Sequence, residues 1–356
     1  MSRPAAASGQ PPAAADGRLA AAPGRPPAGL EPTSPSPTDG PGDRRTPGSL
    51  RRTENRTGLA LMSPTLVIVV VVVVLPILWT ILLAFQRIRL LGLRSAGLFG
   101  DYTLVNFNGI FNSPGFWEAL RTTVIYSVGG TVSSIGIGLI AALALRKGFP
   151  GRTLVRAAML LPYVAPVVAA TFVWKTMLNP QSGVVNYWGT NLLGWDKPVA
   201  FLSQRSLDVS LFGLHFGIPI ALISVIAFEA WRSFPFAFLF LTARLQAIPG
   251  TLEEAALCDG ATITQRFRYV ILPQLLPTIA VLSVLRFIWT FNSFDDIYLL
   301  TGGGAGTEVV SVRVFNSLTA RGDIGVASAQ ALVLAAILAV FVGIYLRRVR
   351  TREEGV

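Results

Sequence analysis

Cysteine and histidine are almost absent from this chain of 356 residues, which contains one of each, Cys258 and His215. A single cysteine excludes an intrachain disulfide and a metal site built from several cysteines. A single histidine excludes a histidine triad and argues against zinc, because zinc sites need several nitrogen or sulfur ligands. We therefore predict no catalytic residue, no metal site and no cofactor bound by this chain itself.

Charged residues are also scarce. They make up 14% of the sequence, against about 25% in a typical soluble protein, and 52% of the residues are hydrophobic. The net charge of +11 would suit nucleic acid, but the arginines occur in short clusters between long apolar runs. That placement is typical of charges that orient a membrane protein, so we predict a chain embedded in a lipid bilayer, with no nucleic acid partner.

The first 58 residues consist mostly of proline, alanine, glycine, serine and arginine, and we predict a disordered cytoplasmic tail there. Paired arginines near its end raise the alternative of a twin-arginine export signal. The apolar run that follows, residues 62–85, is too long for a signal and lacks a cleavage site of small residues. We interpret it as a retained membrane helix and as the start of a membrane domain that covers residues 59–356.

Six apolar stretches reach the length of about 20 residues that a helix needs to cross a bilayer. They are residues 62–85, 120–145, 154–174, 216–241, 276–300 and 324–346. The fold class is therefore an all-α membrane protein with six transmembrane helices. Arginine clusters before the first span, between the second and third, and after the sixth place both termini in the cytoplasm by the positive-inside rule.

The segment 246–275, between the fourth and fifth spans, is cytoplasmic under this topology and carries two helix-start signals. Residues 251–254 and 262–265 each match the pattern of a capping box, in which the first and fourth side chains are expected to bond to each other's backbone N–H groups. Pro273 is expected to end the second helix. The pattern predicts two short helices joined at Gly260, a rigid element suited to passing motion from a soluble partner to the membrane.

The same segment resembles the EAA coupling motif of ATP-binding-cassette (ABC) importer permeases. The matching residues are Glu254-Ala255-Ala256, Asp259-Gly260-Ala261, Phe267 and Ile271-Leu272-Pro273. Further matches to the carbohydrate subfamily, the maltose-, trehalose- and glycerol-phosphate-type permeases with a MalF-like subunit, are Leu161-Pro162-Tyr163, Trp174-Lys175 and the run from Phe294 to Gly304.

This resemblance implies an ATPase-coupling surface formed by Glu254, Ala255, Ala256, Asp259 and Gly260. The element would dock on a separate ATPase subunit, with Glu254 at the contact; a cap of the helix is the alternative role for Glu254. The sequence lacks a GxxxxGK[ST] phosphate-binding loop. ATP and Mg²⁺ are therefore expected in the partner ATPase, and this chain is predicted not to be an enzyme.

Polar residues also occur at membrane depth, where each charge costs about 2.5–3.5 kcal/mol. In the fifth span Arg286, Thr290 and Ser293 follow the i, i+4, i+7 spacing of one helix face. In the fourth span Glu229 and Arg232 are at i, i+3, so a structural ion pair is the alternative to a functional role. Asp295 and Asp296 are further candidates to neutralise the arginines.

The family resemblance implies that the sugar pocket of the pathway is lined from these two spans. The implied residues are Arg232, Ser233, Phe236, Arg286, Thr290 and Ser293. Two arginines stand where the maltose type has smaller neutral groups, which argues against maltose itself as the substrate. Their forked donors suit sugar hydroxyls, or the phosphate or carboxylate of an acidic solute such as glycerol phosphate.

The resemblance predicts that the chain is the permease subunit of an ABC importer in the bacterial plasma membrane and forms half of the pathway for a sugar or oligosaccharide. Its expected partners are a second homologous permease, two ATPase subunits and an extracellular solute-binding protein. An ion-gradient-driven secondary transporter is the alternative from another class, favoured only by acidic residues at depth, since no internal repeat is evident.

The predicted tail supplies the first test. A chain that lacks residues 1–58 should transport substrate as the full chain does, because the resemblance to the permeases begins only near residue 60. Uptake into membrane vesicles, normalised to the amount of assembled transporter, measures this. Loss of uptake with normal assembly would assign the tail a role in transport.

Overall fold

The structure is a computed structural model that describes residues 61–95, 97–98, 100–211 and 214–353. The predicted disordered tail, residues 1–58, lies outside the described residues. The part that bears on function, Thr65–Val356, forms one unit.

Helices account for nearly all regular structure in the described part of the chain. They are α1 (Leu61–Ala84), α2 (Val105–Phe111), α3 (Pro114–Ala144), α4 (Arg152–Val164), α5 (Val167–Met177), α6 (Val184–Asn191), α7 (Ile220–Gln246), α8 (Gly250–Cys258), α9 (Ile263–Phe291), α10 (Asp295–Thr301), α11 (Val310–Thr319) and α12 (Ile324–Glu353). A 3₁₀ segment covers Leu90–Ser95. Strands β1 (Leu207–Leu211) and β2 (Leu214–Ile218) pair antiparallel, with Leu207 opposite Ile218.

Five of these helices, α1, α3, α7, α9 and α12, are long and apolar enough to cross a membrane. The pair α4 and α5 would make a sixth span, bent by 97°. The all-α membrane fold is thus confirmed, and the predicted third span, residues 154–174, corresponds to this bent pair rather than to one continuous helix. Ala165 is extended, with ψ 135°, because it precedes Pro166, whose ring excludes the helical conformation from the residue before it.

The boundaries of the fourth and fifth spans also differ from the prediction. The fourth span begins at Ile220 rather than at 216, since the preceding residues form strand β2. The fifth span ends at Phe291, and a separate helix, α10, begins at Asp295. Polar residues near 293–296 therefore lie on a connection and on a second helix rather than deep within one span.

Helix α9 passes through Pro273 without a break, so the predicted stop at this residue is wrong. Phe267–Ile271 forms a π turn, in which the N–H of Leu272 bonds to the carbonyl of Phe267. The π turn changes the hydrogen-bond register directly before the proline, which itself has no N–H to donate. The second helix of the predicted coupling element is therefore the beginning of the fifth span, not a separate short helix.

The two predicted capping boxes have opposite outcomes. Thr262 and Gln265 form the expected box at the start of α9. The box at Thr251 and Glu254 is wrong, because α8 already begins at Gly250, with Pro249 in the N-cap position and no side-chain cap. Proline is compatible with the N-cap position, since its fixed φ of about −65° matches the −59° of Pro249 and the N-cap N–H makes no bond within the helix.

Gly260 ends α8 as predicted. Its backbone has φ +74°, a left-handed conformation that glycine adopts without steric cost. The N–H of Gly260 bonds to the carbonyl of Leu257, 3.0 Å away, and closes the turn between α8 and α9. The junction of the two helices is therefore a tight and defined turn.

The second and fourth spans, α3 and α7, pack closely along a stripe of small residues on α3. The buried members of this stripe are Ser127, Gly130, Thr131, Ser134 and Gly138. A Cβ atom added at Gly138 would lie 2.8 Å from the Cβ of Ala237 and 2.8 Å from the backbone nitrogen of Phe238. Small residues let helix backbones approach in a bilayer, where packing rather than hydrophobicity holds helices together.

This packing predicts that Gly138→Ala destabilises the bundle by about 1–3 kcal/mol, since the added methyl group meets backbone that cannot move aside. The matched control is Gly136→Ala, two residues away on the same helix, where an added Cβ meets no atom within 4 Å. Thermal unfolding of the purified protein in detergent compares the two variants. Equal unfolding temperatures would contradict the close approach of α3 and α7.

Candidate functional site

The carboxylate of Glu229, on α7, is the centre of a buried polar cluster. Its Oε1 atom accepts hydrogen bonds from the Arg286 guanidinium, from the Ser233 hydroxyl at 3.1 Å and from the Thr290 hydroxyl at 3.3 Å. Glu229 is 3% exposed and Arg286 is 4% exposed. Two opposite charges are thus held together inside the bundle, with neutral hydroxyls completing the hydrogen bonding of the acid.

The second span makes room for this cluster. A Cβ atom on Gly130 would lie 3.0 Å from the Cγ of Glu229 and 3.1 Å from the Cγ2 of Thr290. One turn earlier on α3, the buried Tyr126 hydroxyl lies 3.5 Å from the Ser293 hydroxyl. Three spans therefore meet at the level of Glu229, and their closest approach depends on a residue without a side chain.

A second ion pair joins Arg232, on α7, to Asp296, on α10, with nitrogen–oxygen distances of 3.3 Å. Asp296 is fully buried, whereas the side chain of Arg232 remains 31% exposed. The alternative in which Glu229 pairs with Arg232 on the same helix is not what the structure shows, since each acid pairs with an arginine of another helix. The pairs connect α7 to α9 and to α10.

Partly exposed aromatic rings lie beside the polar cluster. The centroid of the Phe236 ring lies 5.1 Å from the ring centroid of Trp289, 4.7 Å from that of Phe240 and 6.1 Å from that of Tyr163. The Arg286 guanidinium carbon lies 5.9 Å from the Trp289 ring centroid. An open aromatic wall next to hydrogen-bonding groups has the chemistry that stacks on and hydrogen-bonds to a sugar ring.

The structure brings together most of the residues that the sequence suggests for the pathway. Arg286 and Thr290 share a face of α9, one turn apart, and their side chains lie 3.4 Å from each other. Ser293 is not on that face, because α9 has already ended at Phe291. Instead Ser293 lies in the connection to α10, where its carbonyl accepts a hydrogen bond from the Ser311 hydroxyl at 2.6 Å.

Exposure divides the predicted pathway residues into two groups. Ser233, Arg286 and Thr290 are buried and bonded to Glu229, whereas Arg232 and Phe236 are partly exposed. Of the rings in the wall, the sequence suggests Phe236 for the pathway but does not connect Phe240 with it. Tyr163 enters only through its place in the matching Leu-Pro-Tyr stretch. Within the described ranges, no group of three or more His, Cys, Asp or Glu side chains is placed to hold a metal ion.

The predicted coupling residues lie on α8 and on the turn that follows it. Glu254, Ala255, Asp259 and Gly260 are exposed, and Ala256 is half-buried. The neighbouring Glu253 forms an ion pair with Arg146, at the end of the second span. Helix α8 is therefore fastened to the bundle at one acid while the next acid, Glu254, points to no hydrogen-bonding or charged partner among the described residues.

Exposed apolar side chains accompany Glu254 on this surface. Leu252 is 42% exposed, Leu257 is 52% exposed and Ile263 is 78% exposed. A cluster of apolar residues around exposed charges is typical of an interaction surface. We call the exposed residues of α8 and the first turn of α9 the α8 surface.

Comparisons with known proteins agree with these features. Residues 134–352 match the family described as the inner membrane component of binding-protein-dependent transport systems. The chain is 34% identical over 304 residues to the inner membrane ABC transporter permease protein YcjO of Escherichia coli, covering 85% of this chain and 97% of that protein. It is 32% identical over 324 residues to the trehalose/maltose transport system permease protein MalF of Thermococcus litoralis, covering 88% and 100%.

A solved structure shares the fold. A chain of a bacterial ABC transporter involved in the import of the acidic polysaccharide alginate superposes with a TM-score of 0.69 at 23% identity, covering 85% of this chain and 99% of that chain. The family match spans more than half of this sequence, and the two relatives are matched over nearly their whole length. The chain therefore belongs to the inner membrane components of binding-protein-dependent transport systems, the permeases of ABC transporters.

Proposed function

We propose that this permease forms one half of the pathway of an importer for a sugar or oligosaccharide, driven by a separate ATPase. A relative named for trehalose and maltose transport supports the substrate class. The wall formed by Tyr163, Phe236, Phe240 and Trp289 supports it independently, since rings beside fixed donors bind the two faces of a sugar: its apolar C–H face and its hydroxyls.

The observation that carries the proposal is the continuity of α9. This helix begins within the α8 surface, at Ile263, and reaches Arg286, in the polar cluster, about 35 Å further along its axis. A displacement of the α8 surface by a docked ATPase is thereby passed along one rigid helix to the level of the pathway. One continuous helix thus connects the α8 surface directly with Arg286, which two separate short helices would not do.

Glu254 is the residue on which we place the ATPase contact. Its alternative role, a helix cap, does not apply because α8 begins at Gly250 and Glu254 lies in the second turn. It is exposed on a helix that the Arg146–Glu253 ion pair holds against the bundle. A fixed, exposed acid is suited to a charged contact with a partner, whereas a flexible one would lose more entropy on binding.

The remaining partners follow from the incomplete pathway. The aromatic wall is exposed on the outside of a single bundle, so a second homologous permease would supply the opposite side of the pathway. Two ATPase subunits would bind the α8 surfaces in the cytoplasm, where both termini also lie, and a solute-binding protein would deliver the sugar from outside. ATP and Mg²⁺ would be bound by the ATPase subunits, and this chain would do no bond chemistry.

Arg232 favours one variant of this proposal, an acidic or phosphorylated solute. Its side chain is 31% exposed, and its pairing distances of 3.3 Å to Asp296 are long for a charge-assisted bond. A solute phosphate or carboxylate of suitable size would compete with Asp296 for the same guanidinium. The buried Arg286 is committed to Glu229 and does not discriminate between the two substrate classes.

The test is a charge reversal at the α8 surface. In the reconstituted transporter, Glu254→Lys should lower ATP-driven sugar uptake at least about tenfold, since reversing a charge at a docked contact leaves like charges facing each other. ATP hydrolysis should no longer rise when the loaded binding protein is added. The matched control is Asp196→Lys, the same reversal at an exposed acid between the third and fourth spans.

Uptake and stimulated hydrolysis at normal levels in Glu254→Lys would overturn the assignment of the coupling contact. Equal losses in Asp196→Lys would show that the effect is a general one of charge. Uptake that follows an imposed ion gradient without ATP would replace the proposal with a secondary transporter.

A further inference from the structure

A set of arginines lies apart from the polar cluster, where the first span ends and the sixth begins. Arg87, Arg89 and Arg321, together with Arg313, line a cavity of about 590 Å³ that Asp323 also borders. Four positive side chains against one negative side chain give the cavity a strongly basic lining. It lies at the level of the span ends, which in a bilayer is the region of the lipid headgroups.

Backbone hydrogen bonds fix the shape of this cavity. Leu90 donates to the carbonyl of Gly322 at 2.7 Å, and Ile324 donates to that of Ile88 at 3.1 Å. The buried amide of Asn106, on α2, donates to the carbonyls of Ala84 and Gln86, both at 2.9 Å. The end of α1, the start of α12 and helix α2 are thus tied together, and the cavity does not depend on a ligand to form.

Asp323, the acidic residue that lines the cavity, already accepts a backbone hydrogen bond. The positive charges of the arginines therefore outnumber the negative charge available to neutralise them. Asp323 accepts a hydrogen bond from the backbone N–H of Val326, 3.1 Å away, and so caps the first turn of α12. Arg313 pairs with Glu308 at 3.0 Å. The side chains of Arg87, Arg89 and Arg321 are exposed and form no ion pair with any described residue. Three unneutralised cations around one cavity favour an anion of matching size.

An apolar groove adjoins the basic cavity at Val105, the first residue of α2. The groove has a volume of about 710 Å³, shares Val105 with the cavity and is lined by Phe85, Leu104, Phe107 and Phe111. Leu104 is 67% exposed and Phe111 is 49% exposed. So much exposed apolar surface beside a charged cavity indicates a ligand that is itself charged at one end and apolar at the other.

The apolar surface extends further along the membrane-spanning helices. A second groove, of about 510 Å³, shares Phe111 with the first and runs between α3 and α12, where Trp117, Val340 and Phe341 line it. Trp117 is placed near the end of its span, as interfacial tryptophans are. The three depressions adjoin in series through shared lining residues, Val105 and then Phe111, and we call this series, from the basic cavity at the span ends to the exposed side of α12, the path.

We propose that this path binds one anionic glycerophospholipid, with its phosphate among Arg87, Arg89 and Arg321 and its acyl chains along the two grooves. A soluble acidic protein would reach the arginines but not the groove between α3 and α12. A neutral lipid would fill the groove but leave the arginines without a counter-ion. Basic cavities between membrane helices bind anionic headgroups by this combination of charge and apolar contact.

The proposal requires only that these helices cross a membrane, and it is independent of the substrate and of the ATPase contact. The assembled transporter would be purified in detergent with an equal mixture of phosphatidylglycerol and phosphatidylcholine that carry the same acyl chains. Native mass spectrometry would count the retained lipid of each kind. Wild-type protein should retain phosphatidylglycerol preferentially.

Two variants test the two parts of the site. The triple variant Arg87→Gln/Arg89→Gln/Arg321→Gln should lower the affinity for phosphatidylglycerol at least about tenfold, because each cation near the headgroup contributes to the attraction. Gly109→Leu should also lower it while leaving every charge in place. Gly109 lines the cavity, and a Cβ atom added there meets nothing within 4 Å, so the larger side chain enters the free space without disturbing α2.

The matched control removes the same charge elsewhere, in the variant Lys147→Gln/Lys175→Gln/Lys197→Gln, and should retain the preference. Equal retention of both lipids by the wild type would overturn the proposal. An unchanged preference for phosphatidylglycerol in Gly109→Leu would also overturn the proposal, because the preference would then arise from general surface charge. Retention by the isolated chain but not by the assembled transporter would assign the groove to the partner permease, and would also overturn it.

Discussion

The neutralisation of Arg286 by Glu229 is the interaction on which the centre of this permease depends. An arginine in the middle of an apolar helix costs about 2.5–3.5 kcal/mol unless it is paired or reaches water. With 4% exposure, Arg286 has little access to water. The surrounding residues accommodate this pair. Thr290 and Ser233 donate hydrogen bonds to the same carboxylate oxygen of Glu229, and Gly130 allows the second span to approach it closely.

The same constraint bears on how the proposed coupling surface would act on the proposed pathway. Helix α9 carries the arginine of the pair and also begins beside the α8 surface, so the membrane and cytoplasmic features belong to one continuous element. The second pair, Arg232 with Asp296, connects the acid-bearing helix α7 to α10. A movement of α9 relative to α7 must therefore strain or exchange charged partners, which gives the bundle discrete arrangements rather than a continuous range.

The sequence predicts several, but not all, of the features that depend on local spacing. The i, i+4 spacing of Arg286 and Thr290 places both on the inner face of α9, and Thr262 with Gln265 starts that helix as expected. Partners across helices are not predictable in this way, because the choice of Glu229 between Arg232 and Arg286 depends on how two helices are rotated and shifted against each other. The effect of a proline on a helix is not predictable from the sequence alone either. Pro166 interrupts the third span, whereas α9 continues past Pro273 because a π turn precedes that proline.

The central claim is tested most directly by a double-mutant cycle on Glu229 and Arg286, with the free energy of unfolding measured in detergent micelles. Glu229→Gln and Arg286→Met should each destabilise the protein by about 3–5 kcal/mol, because each leaves an uncompensated buried charge. The double variant should recover part of the loss, giving a coupling energy of about 1–3 kcal/mol. Strictly additive losses would show that the two charges do not depend on each other, and would contradict this account of the structure.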